Sequence, residues 1–225
     1  MSSAKNEKYI PALSYDLLTP FYDPVVRLTT REAAFKKALI AQSRLETASW
    51  VLDLACGTGT LAVMLKKAAS GAEIVGVDGD QKILKIAAAK AKKASVDVRF
   101  EAAMSFDLPF ADGTFDCVFS SLFFHHLTRE NKLRTLVEVR RVLKTGGELH
   151  IADWGLPANF LMRIASYGIE LLDGAETTAD SFAGLLPKLM ADAGFEAIEE
   201  TNHFNSAFGT IRLLRSRKIL KRENK

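Results

Sequence analysis

A doubly wound α/β domain with a mostly parallel sheet is the fold this sequence predicts. Three observations point to it. Short apolar runs of strand length alternate with segments of helical apolar spacing. The runs are nearly unbroken, which suits strands covered on both faces. A Gly-x-Gly turn joins the first run to the helix after it, the arrangement of nucleotide-binding α/β sheets.

The elements follow in order. Forty-nine residues precede the first strand. Pro11, Pro20 and Pro24 interrupt their beginning. Arg31 to Leu45 reads as a helix, so residues 1–48 are expected to form a helical cap and not a second domain. Trp50 to Ala55 is the first strand, and Leu61, Met64, Leu65 and Ala68 mark the next helix. Glu73 to Asp78 is the second strand. Ile83, Leu84, Ala87, Ala88 and Ala91 form the inner side of a helix whose wet side carries Lys82, Lys85, Lys90, Lys92 and Lys93. Val96 to Phe100 and Phe115 to Ser120 are the third and fourth strands. A helix over Asn131 to Leu143 ends at Thr145-Gly146-Gly147, and Glu148 to Ala152 is the fifth strand. Asn159 to Leu172 and Asp180 to Ala193 are helical, the second stopping at Gly194. Phe195 to Glu200 and Phe208 to Leu214 add two strands. Residues 49–155 are thus the cofactor-binding core of a single domain, and residues 156–225 its substrate-side helices and last strands.

Composition narrows the classes. The 225 residues are 48% hydrophobic and 25% charged, with a formal net charge of +3, which is ordinary for a soluble domain and too small to imply nucleic acid. No apolar run is long enough to span a bilayer. The polar start, Met1 to Tyr9, gives no expectation of export, so a cytoplasmic place is expected. Cys56 and Cys117 both lie in apolar strand-like segments and read as reduced, buried thiols. No ligand spacing for a metal is found, and none is expected. Arg215 to Lys225 reads as a solvated basic tail.

The strongest local signal is Val51-Leu52-Asp53-Leu54-Ala55-Cys56-Gly57-Thr58-Gly59-Thr60. Glycines here let the chain turn tightly and let a ligand approach the amides. Asp78 follows Gly59 by 19 residues, at the end of the second strand, where a carboxylate accepts hydrogen bonds from ribose hydroxyls. The loop alone does not choose among adenosine cofactors, because Gly57-x-Gly59-x-x-Ala62 also fits a relaxed dinucleotide fingerprint. A nicotinamide-dependent oxidoreductase therefore stands as an alternative. Asp53 argues against it. A buried carboxylate needs a partner; a pyrophosphate would repel it, whereas the ammonium of a methionine moiety would pair with it.

Several further segments occur in order. They are Tyr22-Asp23, Val75-Gly76-Val77-Asp78, Leu108-Pro109-Phe110, Asp112-Gly113-Thr114-Phe115-Asp116 and Glu138-Val139-Arg140-Arg141-Val142-Leu143-Lys144-Thr145-Gly146-Gly147. With the glycine loop they resemble the class I S-adenosylmethionine-dependent methyltransferases, especially the ubiquinone and menaquinone C-methyltransferases, over residues 20–155. The resemblance implies a seven-stranded sheet with the last strand reversed, S-adenosylmethionine as cofactor and S-adenosylhomocysteine as product. Position by position, it implies that Asp53, Ala55, Gly57 and Gly59 surround the methionine part of the cofactor, with Cys56 and Thr58 of the same loop also binding it. Asp78 and Gly79 would hold the ribose, Met104 and Ser105 the adenine, and Ser120 would offer its backbone to the amino-acid end. Tyr22 would close the site from the cap. The sequence departs from the family at Met104, where an acidic residue is usual; a thioether accepts hydrogen bonds only weakly. Thr145 stands where proline is common.

Methyl transfer from a sulfonium needs positioning and desolvation, and a base only where the acceptor must lose a proton. Phe123-Phe124-His125-His126 follows the fourth strand at the expected mouth, and the resemblance favours His126 over His125 as base. Asp153, after the fifth strand, is a candidate to orient the acceptor, with Trp154 as a wall. His150 reads as structural. Phe160 to Tyr167 is apolar around most of a helix, so it is core, an interface or a lid over an apolar acceptor. The expected acceptor is a small molecule, quinone-like or otherwise lipophilic. No nucleic acid is expected, because Ser120-Ser121-Leu122-Phe123 lacks the Pro-Pro-aromatic run of amino-methylating enzymes. A non-catalytic cofactor-binding relative remains a further alternative.

Overall fold

A computed structural model describes residues 31–219. Seven strands form one sheet in the order β3-β2-β1-β4-β5-β7-β6. They are β1 (Trp50–Leu54), β2 (Glu73–Asp78), β3 (Arg99–Ala102), β4 (Phe115–Ser121), β5 (Leu143–Trp154), β6 (Glu196–Ser206) and β7 (Gly209–Arg217). All neighbours pair parallel except those of β7, which runs against both β5 and β6. This is the doubly wound sheet that the sequence predicts, with the one reversed strand that the family resemblance implies.

The helices are α1 (Glu32–Ala41), α2 (Thr60–Ala68), α3 (Gln81–Lys93), α4 (Arg129–Val142), α5 (Phe160–Asp173), α6 (Ala175–Phe182) and α7 (Leu186–Asp192). Two apolar layers sandwich the sheet. On one face Leu136 and Val139 of α4 and Leu189 and Met190 of α7 meet Leu52, Val118 and Ile151. On the other, Phe35 and Leu39 of α1 and Leu61 and Leu65 of α2 meet Val51, Phe119 and Leu213. Successive residues of β1 therefore serve opposite layers, so Asp53 falls on the α1–α2 side with Val51.

Local chemistry starts and stops these helices. The Asp80 side chain caps α3, Thr128 caps α4 and Asn159 caps α5, each accepting an amide hydrogen bond from the first turn. Gly194, at φ 87°, ends the run after α7 as expected.

Several boundaries differ from the sequence reading, β6 for instance running to Ser206 past the expected Glu200. The single helix expected over Asp180 to Ala193 is two, because Gly184 turns left-handed at φ 70° and Pro187 begins α7. Thr145-Gly146-Gly147 lies inside β5 instead of ending a helix. Gly146, at φ 81°, and the bulge opposite Phe115 and Cys117 absorb the irregularity while Lys218 pairs with both glycines. The third strand starts at Arg99 because pairing to Val75–Asp78 sets its register. Arg215 and Arg217 belong to β7 and not to a tail, held by Glu199 and Glu148 respectively. The calls on Pro11, Pro20, Pro24, Tyr22 and Asp23 lie outside the described residues. No helix among the described residues is long and apolar enough to cross a membrane.

Gly59 shows what this packing demands. Its φ is 76°, and a Cβ there would sit 2.8 Å from Ala87 Cβ on α3. Gly59→Ala is expected to cost roughly 2–4 kcal/mol in urea unfolding, combining the left-handed penalty with overpacking. Adding Ala87→Gly should restore about half, because it relieves the clash but not the backbone strain.

Candidate active site

The carboxyl ends of β1, β2 and β4 lie side by side, the place where open parallel sheets bind ligands. The backbone is bent sharply there. Ala55 at φ 53° and Leu122 at φ 54° are left-handed without being glycine, at the exits of β1 and β4. Gly57, at φ 52°, has nothing within 4 Å of where its Cβ would be, so its face is open to a ligand. Gly59 is instead spent on packing against α3. The Gly57 amide donates to Asp78 Oδ2 at 2.9 Å, and the Asp80 amide to Asp78 Oδ1 at 3.0 Å. Asp78 thus braces the loop from the end of β2 while staying partly exposed beside Gly79. Burial raises its carboxyl above the usual range, and the loop amides oppose that rise. Lys90 of α3 donates to the hydroxyls of Thr58 (2.8 Å) and Thr60 (2.7 Å), tying down the other side of the loop.

Asp53 is 1% exposed, and its Oδ2 has no hydrogen-bond partner. Burial pushes its carboxyl up to about 7, against the lowering influence of Lys36 and the Ala62 amide, with Asp78 adding repulsion. A fully buried acceptor oxygen without a donor is uncommon and calls for a ligand that supplies one. A ligand ammonium fits this position: it is a cation and a multiple donor, which a carboxylate in a dry site needs.

The other expected cofactor contacts divide. The Cys56 side chain is buried against β2, with Sγ 3.1 Å from where a Gly76 Cβ would be; its amide extends the β1–β2 ladder to Val77. Any contact from Cys56 comes from its backbone. β4 runs one residue past the expected end, and Ser120 is paired on both sides, with Leu54 and Ile151. Ser121 is the first residue of β4 beyond its pairing with β1. The Ser120 hydroxyl is buried and unpartnered, the second such atom at these strand ends. Ser105 Oγ is engaged with Thr135 Oγ1 at 2.8 Å, and the Met104 carbonyl accepts from the Asp107 amide at 3.0 Å. Both residues are therefore held in a turn, with part of their hydrogen-bonding capacity already used.

The later segments prove to be one brace. Arg141 donates to the carbonyls of Phe110 (2.7 Å) and Leu108 (3.0 Å), to Asp112 and to Glu138. Glu138 in turn accepts from the Leu108 amide at 2.8 Å. These contacts anchor the loop before β4 onto α4.

Asp153 sits at the end of β5, 2% exposed. Its Oδ2 accepts from the amides of Phe123 (3.1 Å), Phe124 (2.6 Å) and His125 (3.4 Å); its Oδ1 accepts from the Trp154 amide (2.7 Å) and His125 Nδ1 (2.5 Å). Burial alone would raise this carboxyl, but the His125 charge and these donors outweigh it and hold it below the usual range. Five donors meet its two oxygens, so in this structure Asp153 shapes the Phe123–His126 turn. His125 is buried with it, and His126 stacks on His125 at 3.9 Å between ring centres. Of the three, only His126 is partly open. Burial pushes its imidazole down to about 3, with His125 adding to that, so it is neutral and a weak base. Trp154 and Asp153 line a cavity of about 150 Å³ with Leu156, Leu186 and Arg212.

Sequence reasoning missed Glu32 and Lys36 of α1, which are buried beside this site; polar residues on a short cap helix give no signal in one sequence. It also left α5 between core and lid. Phe160, Leu161, Tyr167 and Leu171 are 77%, 68%, 55% and 87% exposed, so this side of α5 is not core. His150 is structural as read, bonded to Gln42 and Glu148 within β5 and its surroundings. Cys117, Glu148 and His150 form a buried group of metal-ligand types, but Arg217 and Arg44 already neutralise Glu148.

Two outcomes follow for stability. The folded pKa of Asp53 lies above its ordinary value, so its stabilising protonated form is lost as pH rises from about 4 through about 7, a loss of about 4 kcal/mol at most. Asp53→Asn should therefore melt above wild type at pH 8, with the gap narrowing at pH 5 and closing near pH 4 in thermal scans. Asp153→Ala should lower urea-unfolding stability by roughly 3–5 kcal/mol at pH 7, since it strands His125 and three buried amides.

With this geometry established, comparison with known proteins is informative. The family described as "Methyltransferase domain" matches residues 51–147. The demethylmenaquinone methyltransferase of Thermus thermophilus is 37% identical over 142 residues, covering 62% of this chain and 64% of that protein. The chain thus spans just under two thirds of that relative's length. A methyltransferase of Synechocystis sp. named as uncharacterized is 32% identical over 167 residues, 74% of each chain. Phosphoethanolamine N-methyltransferase 2 of Haemonchus contortus, solved with phosphomonomethylethanolamine and S-adenosylhomocysteine, superposes with a TM-score of 0.74 over 91% of this chain and 58% of that one. At 15% identity that likeness speaks for the fold alone. By its sequence kinship, the chain belongs to the S-adenosylmethionine-dependent methyltransferase family and resembles its quinone C-methyltransferase branch.

Proposed function

We propose that this protein transfers a methyl group from S-adenosylmethionine to a small, apolar, quinone-like acceptor. The observation that carries the cofactor is the open, buried Oδ2 of Asp53 beside the exposed face of Gly57. Asp53 would hold the methionine ammonium, Gly57 would let the ligand lie on the loop, and Asp78 would hold the ribose. The same carboxylate disfavours a nicotinamide dinucleotide, whose pyrophosphate would meet a negative charge in a dry site. When bound, the cofactor supplies an electrophilic methyl on sulfur. The protein's own part is to orient the acceptor and exclude water. His126, neutral and partly open, accepts a hydrogen bond from the acceptor, while Asp153 and His125 hold its turn in place. The exposed apolar side of α5 supports a lipophilic acceptor, as do the quinone substrates in the names of the relatives.

A thermal-shift titration with S-adenosylmethionine, S-adenosylhomocysteine and NAD tests the cofactor. The two sulfur nucleotides should each stabilise the fold by about 2.7 kcal/mol at 100 times their dissociation constant, and NAD should not. A shift with NAD alone would overturn the proposal. Methylation of a demethylated, short-tailed quinol is the expected activity, and His126→Ala should lower its kcat without changing cofactor affinity. Tight cofactor binding with no turnover on quinols or phenols would favour a non-catalytic role.

A further inference from the structure

Helix α5 presents a line of large apolar side chains that no described element covers. Phe160, Ile164, Tyr167 and Leu171 are each at least half exposed, and Leu161 beside them is 68% exposed. The four follow one another at steps of four, three and four residues, the seam spacing of a two-stranded coiled coil. The opposite side of the helix does the docking. Ser166 and Ile169 are buried; Ser166 packs against Gly209 at the start of β7, and Ile169 joins the apolar layer of α1 and α2. The outer line is therefore not what holds α5 on the domain.

Its size, charge and symmetry point to one occupant. These five side chains expose roughly 700 Å², and burying most of that on two copies reaches about 1,200 Å², the lower end for specific protein interfaces. A helix that lies on a lipid surface is instead rich in cations beside its apolar face. Phe160–Asp173 contains a single cation, Arg163. It is already engaged: Nη1 donates to Glu170 Oε1 at 2.6 Å, and the guanidinium sits over the Tyr167 ring at 4.8 Å. The border of the line is thus polar and locally neutral, as the rim of a protein interface is. The line is also self-complementary, because its spacing is the same read from either end. In an antiparallel pair with a two-fold axis between Ala165 and Ser166, Phe160 of one copy comes opposite Leu171 of the other. Ile164 likewise comes opposite Tyr167. Every level then packs one ring against one aliphatic side chain, and each contact occurs twice.

We propose that this face is the interface of a symmetric dimer, with α5 of each copy packed antiparallel on α5 of the other along Phe160, Ile164, Tyr167 and Leu171. The assignment depends on neither the cofactor nor the acceptor. It does bear on the site. Helix α6 follows α5 directly and is tied to the turn after β4, since Lys132 Nζ donates to the carbonyls of Leu127 (2.7 Å) and Thr177 (2.6 Å). Dimerisation fastens the segment to which the His126 turn is attached.

Light scattering and cross-linking test this. Wild type should show twice the chain mass at roughly 100 μM, with a dissociation constant on the order of micromolar. Leu171→Glu and Ile164→Glu should each raise that constant at least roughly 100-fold, because every dimer then buries two carboxylates without a cation. Leu171 is 87% exposed, so the far-UV circular dichroism and urea midpoint of Leu171→Glu should match those of the wild-type monomer. A cysteine pair reads the geometry. Positions 160 and 171 of one copy lie about 16 Å apart along the helix, beyond a short thiol cross-linker, but meet across the two-fold axis. The double variant Phe160→Cys/Leu171→Cys should form a covalent dimer, and neither single variant should; Cys56 and Cys117 are buried and do not compete. Wild type at the chain mass at roughly 100 μM would overturn the proposal, and vesicle flotation would then ask whether a lipid surface takes the stripe. A dimer left intact by Leu171→Glu would overturn it as well, as would a dimer whose double-cysteine variant fails to cross-link.

Discussion

A carboxylate sealed beneath the end of the central strand is the constraint around which the site is arranged. Asp53 lies in β1, between β2 and β4, where parallel pairing on both sides fixes its backbone. Its face of the strand is packed against α1 and α2, which leaves the side chain 1% exposed. One oxygen is left without a donor. Such an atom is costly in the empty protein, because a lost hydrogen bond in a dry interior is not replaced. The cost is tolerable where a ligand removes it. The left-handed Ala55, the open Gly57 and the braced Asp78 all follow from turning the chain around this point without covering it.

A second carboxylate does the opposite work. Asp153 is as deeply buried as Asp53 but fully supplied with donors, and it stays ionised for that reason. It organises the turn after β4 by collecting three consecutive amides. The contrast separates a group that awaits a ligand from one that holds the architecture. Residue type and position relative to the strand ends are the same for both; only the donor count differs.

Away from these strand ends, charged residues serve as cross-ties. Arg141 and Glu138 fasten the loop before β4 to α4. Arg217 fastens β7 to Glu148 at the start of the buried part of β5. Because Glu148 is held by Arg217 and His150, its carboxyl is pushed down to about 2. These ties let a sheet with one reversed strand keep a fixed edge.

The sequence by itself determined the fold class, the glycine loop and the two aspartates at the ends of β1 and β2, while the reversal of the last strand came from the family resemblance. It could do so because apolar periodicity and glycine placement are local properties of the chain. The split between α6 and α7 was present in Gly184 and Pro187 but was overridden by the apolar spacing around them. Tertiary structure alone decided what the remaining residues are for. Nothing in the order of residues says that Asp153 would meet three amides from 30 residues away, nor that Lys36 of the cap helix would lie within the field of Asp53. Nor does it say that His126 would be buried enough to lose its basicity. Hydrogen-bond supply and burial depend on which elements pack together, and those are properties of the folded chain rather than of its sequence.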